Sequence, residues 1–95
     1  MRVGPLILRL HSRVFEVFST ESSYAQRHHV DTVAFEARPP GRDGRVKVHV
    51  GLLRHGELSR GAGRTDLELD APQFARFEQL VAAVKRVQAA GPEPW

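Results

Sequence analysis

The feature that most constrains this chain is the position of its helical periodicity, which lies only at the end. From Asp70 the residues write out a helix start. Asp70 can accept hydrogen bonds from free backbone N–H groups as N-cap, Gln73 follows three residues on as in a capping box, and Pro72 falls in the first turn, where a missing N–H does no harm. Phe74, Phe77, Leu80, Val81, Val84 and Val87 then recur at three- and four-residue spacing, which lays an apolar stripe along a helix of about five turns. Lys85 and Arg86 favour the negative pole of the helix dipole, and Gly91 stops the helix before a tail, "PEPW". The helix is expected over about 71–90, with a tail at 91–95. Parallel strands need crossovers, usually helical, between them. A sheet whose helix comes only after its strands is therefore mainly antiparallel.

The preceding segment supplies those strands. "LILRL" (6–10) and "VFEVFS" (14–19) flank the short connection "HSR", as in a hairpin. In the first, Leu6, Leu8 and Leu10 share one face. In the second, Val14, Glu16 and Phe18 oppose Phe15 and Val17, so both faces carry apolar residues and alternation alone leaves the register open. "STESSY" is a polar loop, "QRHHV" leads into a strand, and "TVAFEA" sets Val33, Phe35 and Ala37 against Ala34, Glu36 and Arg38. "PPGRDG" ends that strand and turns the chain. The cleanest alternation follows, with Arg45, Lys47 and His49 on one face and Val46, Val48 and Val50 on the other, and predicts a half-buried strand with a basic outer face. "RHGELSRGAGR" predicts turns, with at most a short strand around Glu57 to Ser59. "TDLEL" turns Leu67 and Leu69 inward and presents an acidic outer face, Asp66, Glu68 and Asp70.

Ninety-five residues suffice for one compact domain with a single core, residues 1–95, and leave little room for a deep substrate cleft. There is no cysteine, which excludes disulfides, thiolate nucleophiles and cysteine-ligated metals. "VGPLILRL" is broken by Pro5 and Arg9 and is too short for a bilayer span. A soluble, cytoplasmic protein is expected. Of the 14 cations twelve are arginine, whose planar fork suits carboxylate and phosphate oxygens, but a net charge of +3 has meaning for binding only where it clusters.

The element order resembles the pleckstrin-homology-like fold, especially its small bacterial members. "LILRL", "VFEVFS", "QRHHV", "TVAFEA", "VKVHVGL", "ELS" and "TDLEL" fall where that fold has its strands, and Pro72 to Ala89 where it has its helix. The resemblance covers nearly the whole chain and rests on element order. It implies an antiparallel β-sandwich or partly open barrel of six to seven strands, with one end plugged by the C-terminal helix. Lipid-binding members of that family carry a lysine and a spaced pair of cations around the first hairpin. This chain has Arg9, His11 and Arg13 there, with no lysine and a very short connection.

The candidate binding residues are the basic ones with strand parity: Arg9, His11 and Arg13; Arg27 and His29; Arg45, Lys47 and His49. On a shared surface they make a cationic patch for carboxylates or phosphates; apart, they are ordinary solvated charge. A metal would require His29 to meet His11 or His49 together with Asp31, because His28 and His29 point to opposite faces of a strand. No spacing enforces that meeting, and neither metal nor cofactor is expected. The serines lack a nucleophile motif, and "RGAGR" lacks the lysine and hydroxyl residue of a phosphate loop. The expected function is therefore non-enzymatic: a protein-interaction or adaptor module using a basic strand face or a sheet edge. The alternative is recognition of an anionic lipid head group or nucleic acid through the basic patch. An apolar sheet face left over, Phe15 and Val17 or Ile7, leaves room for a homodimer.

Overall fold

The structure, a computed structural model, describes residues 1–59, 61 and 63–91. Residues 92–95 of the tail expected at 91–95, and two positions of the glycine-rich turn, Arg60 and Ala62, lie outside the described residues. The order is β1 (Arg2–Val3), β2 (Leu6–His11), β3 (Val14–Ser19), β4 (Ala25–His29), β5 (Val33–Ala37), β6 (Val46–Arg54), β7 (Glu57–Leu58), β8 (Thr65–Leu69) and α1 (Ala71–Ala90). Every strand pairing is antiparallel. The described strands number eight rather than six to seven. The additional one, β1, is two residues long and too short to show alternation.

The strands divide into two four-stranded sheets, β1-β2-β3-β4 and β5-β6-β7 with β8 on β6, which do not join into a closed barrel. Tight turns set the register. Ser12, at φ 54°, opens the two-residue turn that pairs His11 with Val14, and His55 and Gly56, at φ 52° and 78°, supply the left-handed pair that an Arg54–Glu57 hairpin requires. Between Val30 and Thr32 the chain leaves the first sheet for the second, held by Val30 N–H on Arg13 O (3.0 Å) and Leu53 N–H on Thr32 O (2.7 Å).

The register that alternation left open is resolved by packing. Phe15 and Val17 are fully buried beside Leu8, while Glu16 and Phe18 point outward. The second sheet contributes Val46, Val48, Val50, Leu67 and Leu69, and the helix contributes Phe77 and Val84. Edge-to-face contacts run from Phe15 to Phe35 (5.1 Å) and from Phe35 to Phe77 (5.9 Å), tying both sheets and the helix into one core. The helix begins as its sequence dictates: Asp70 accepts from Gln73 N–H (2.8 Å) and Gln73 Oε1 accepts from Asp70 N–H (3.0 Å). No described helix is long and apolar enough to cross a membrane.

One strand departs from expectation. β6 is half-buried as far as Lys47, but His49 and Gly51 on its outer face are buried too. The β7 hairpin folds back over that face. A Cβ on Gly51 would lie 2.9 Å from Leu58 Cδ1 and 3.6 Å from Arg64 Cα, so a larger residue there would have to push the end of the Leu58 side chain aside.

Candidate functional site

The eight basic candidates do not converge on one surface. On the outer face of the first sheet, cross-strand pairing sets Arg9, Glu16 and Arg27 in one row and His11, Val14 and His29 in the next. Four of the eight therefore share a face, but a carboxylate occupies its centre. Glu16 accepts from Arg9 Nε at 2.7 Å and lies 3.4 Å from Arg27 Nε. The hydrogen bond from Arg9 holds the Glu16 carboxyl below its usual range, outweighing the opposing effect of burial. The Arg9 guanidinium also lies 5.1 Å from the Phe18 ring centroid, over the outward apolar pair Ile7–Phe18. Phe15 and Val17 are in the core, so they are not available to pair two chains.

Arg13 leaves this row altogether. Standing in the turn after Ser12, it donates from Nη1 to Val87 O (3.0 Å) and Gly91 O (2.8 Å), and from Nη2 to the Asp31 carboxylate (3.2 Å). Its charge satisfies carbonyls that the end of a helix leaves without partners. Beside it, Gln88 Nε2 donates to Val30 O, so the last helical turn is fastened to both the first hairpin and the crossing between sheets.

His49 keeps the outer face that its strand parity gives but is covered there. Only 7% exposed, it sits opposite Asp66 in the register, and Asp66 Oδ1 accepts from His49 Nδ1 (2.6 Å) and from Arg64 Nε (2.7 Å). The Arg64 hydrogen bond, with support from His49, lowers the Asp66 pKa against the effect of burial. Lys47 faces Glu68 in the same register. The basic outer face expected on β6 is thus laid beside the acidic outer face of β8; His49 is in contact with Asp66, whereas Lys47 makes no ion pair with Glu68 among the described residues. His28 points inward from β4, 6% exposed; burial lowers its pKa, and its Nε2 has no hydrogen-bond partner among the described residues. His29 points outward, and its Nδ1 accepts from Asp31 N–H (3.2 Å). Among the described residues no three His, Cys, Asp or Glu side chains gather as metal ligands.

Two other features can engage a partner, and they adjoin. The first is the edge of β5. Arg38 N–H donates to Lys47 O (2.9 Å) and Leu53 N–H to Thr32 O (2.7 Å) at the two ends of the β5–β6 ladder. Bonded and non-bonded pairs alternate in an antiparallel ladder, so Ala34 and Glu36 also turn their backbone groups toward β6. Val33, Phe35 and Ala37 turn theirs the other way, and among the described residues no strand pairs with that side. Along it runs a groove of about 1030 Å³ whose walls include Phe74, Val81 and Ala82 of α1 and Leu53 and Leu58 of the β7 hairpin. Leu53 is 41% exposed, and Phe74 and Val81 are half-buried, so apolar surface is left uncovered there.

The second feature is a cleft of about 510 Å³ at the β5–β6 turn, where Arg38, Arg42, Arg45 and Lys47 stand with Asp43 and Glu68. The turn is closed by its own hydrogen bonds: Gly41 N–H to Arg45 O (2.9 Å), Gly44 N–H to Gly41 O (3.0 Å), and Arg45 N–H to Asp43 Oδ1 (3.0 Å). Among the described residues none of the four cations forms an ion pair. Arg45 and Lys47 were legible as candidates; Arg38 and Arg42 were not, although "RPPGRDGR" carries three arginines in one turn.

Compared with protein-family models, with curated proteins and with solved structures, the chain matches none.

Proposed function

We propose that this protein is a non-enzymatic recognition module that captures an extended segment of a partner protein by adding it as a strand to β5. The observation that carries this reading is the unpaired side of Val33, Phe35 and Ala37 beside an open, partly apolar groove. An edge strand presents a row of unsatisfied donors and acceptors, and a segment laid along it gains main-chain hydrogen bonds while alternate side chains enter the neighbouring groove. The wall formed by Phe74 and Val81 suits an apolar side chain, and Glu78 and Lys85 form a charged rim around it. We take the fold to be pleckstrin-homology-like, since β2 to β8 and α1 follow that element order. The outer face of the first sheet is less suited to anionic lipid or nucleic acid, because Glu16 stands between its arginines.

The test is selection from a displayed library of random dodecapeptides on the wild-type protein and on Ala37→Pro. Proline at 37 removes an N–H that points away from β6, so the β5–β6 ladder keeps its bonds and the thermal midpoint stays close to wild type. Enrichment of peptides with an apolar consensus on the wild type, lost on Ala37→Pro, supports strand addition. Equal enrichment on both proteins, or none on either, refutes it.

A further inference from the structure

The groove and the cationic cleft are continuous, since Arg38 lines both. Building on the strand-addition reading, we infer that the captured segment is acidic at one end, with Asp or Glu side chains seated among Arg38, Arg42, Arg45 and Lys47. Three observations lead there. The four cations form no ion pairs among the described residues and outnumber the cleft's two carboxylates, Asp43 and Glu68, whereas Arg9, Arg13, Arg27 and Arg64 each lie against a carboxylate. The turn that bears Arg42 and Arg45 is closed by its own hydrogen bonds, so little ordering is needed when a ligand arrives. The cleft lies just past Ala37, where a strand following β5 must leave the groove.

Direction follows from the sheet. All of its pairings are antiparallel, and an antiparallel guest has its N-terminal end at Arg38, because β5 runs toward Arg38. Successive residues of the guest advance about 3.4 Å each, so the acidic side chains belong within the few positions N-terminal to the residue opposite Ala37. Arginine forks favour carboxylates in paired, charge-assisted hydrogen bonds, which gives this end of the site selectivity that the bare edge lacks.

The same library separates this inference from the reading beneath it. Peptides enriched on the wild type are expected to carry Asp or Glu N-terminal to the apolar consensus. One such peptide, synthesised, is expected to bind Arg42→Ser/Lys47→Ser at least about tenfold more weakly at low salt, a loss that shrinks as salt rises. The same peptide with Asn and Gln in place of its acids is expected to bind both proteins alike. Enriched peptides without acidic residues, or equal binding of the acidic peptide by both proteins, overturn the inference and leave strand addition standing. Acids that cluster C-terminal to the consensus overturn the assigned direction. If nothing is enriched, or if Ala37→Pro enriches the same peptides, both readings fall.

Discussion

The outer face of the first sheet and the β5–β6 turn are both rich in arginine, yet the protein treats them differently. On the sheet face, Glu16 sits between Arg9 and Arg27 and Arg9 lies over Phe18, so the charges are absorbed by neighbours. At the turn, Arg38, Arg42, Arg45 and Lys47 share a cleft without ion pairs among the described residues. Counting cations does not separate these regions; asking what each cation already touches does. The first face uses its charge to hold strands together, and the second has charge to offer a ligand.

The comparison assumes one core beneath both regions, and that assumption carries the largest expected effect. Phe15→Ala removes a fully buried ring in edge contact with Phe35 and should cost about 3–5 kcal/mol of unfolding free energy in urea titration. A much smaller loss would mean that the two sheets are less tightly joined than described.

Next is the contrast between an engaged arginine and an open one. Arg13→Ala removes two bonds to helix-terminal carbonyls and a contact with Asp31, and should cost about 1–3 kcal/mol. Arg42→Ala should change stability by no more than about 0.5 kcal/mol. Equal costs would erase the distinction between structural and available cations.

A smaller effect is expected from His28. Its folded pKa lies below the ordinary value of 6.5, so the unfolded chain binds the proton more readily. The resulting stability is present above pH 6.5 and is lost as pH falls from 6.5 through the folded pKa. His28→Gln should remove that pH dependence from unfolding curves; an unchanged slope would place its origin elsewhere.

The smallest effect tests the masking itself. Glu16→Gln takes the acid from between two arginines and should raise the salt needed to elute the protein from heparin, whereas Arg42→Ser should lower it. If the Glu16 variant elutes unchanged, neutralisation by Glu16 is not what keeps that face quiet.

Much of this architecture can be read from the residues alone. The capping box of Asp70 and Gln73, the valine alternation of β6 and the closing turn at Asp43–Gly44 are local signals, and local physics suffices to place them. The candidate site was only half legible. Strand parity put Arg9 with His11, and Arg27 with His29, on one face of their own strands; it is the pairing of β3 with both β2 and β4 that brings the two faces together. Parity could not show that β8 would lie beside β6 and bury His49 against Asp66, because strand neighbours are chosen by long-range packing. A hint was present in the opposite signs of the two outer faces, Lys47 and His49 against Glu68 and Asp66. Nor could parity show that Arg13 would turn away to the helix, whose carbonyls are distant in sequence.

That distance matters when the chain is made. Arg13 finds its acceptors 74 and 78 residues further on, so a polypeptide emerging from the ribosome has the partners of both sheets before it has the turn that fastens them. Until Phe77 and Val84 emerge, the surface they cover has no lid, and the β5 edge beside it has no groove wall. The groove proposed above as a docking site therefore lacks its helical wall until the residues of α1 have been made.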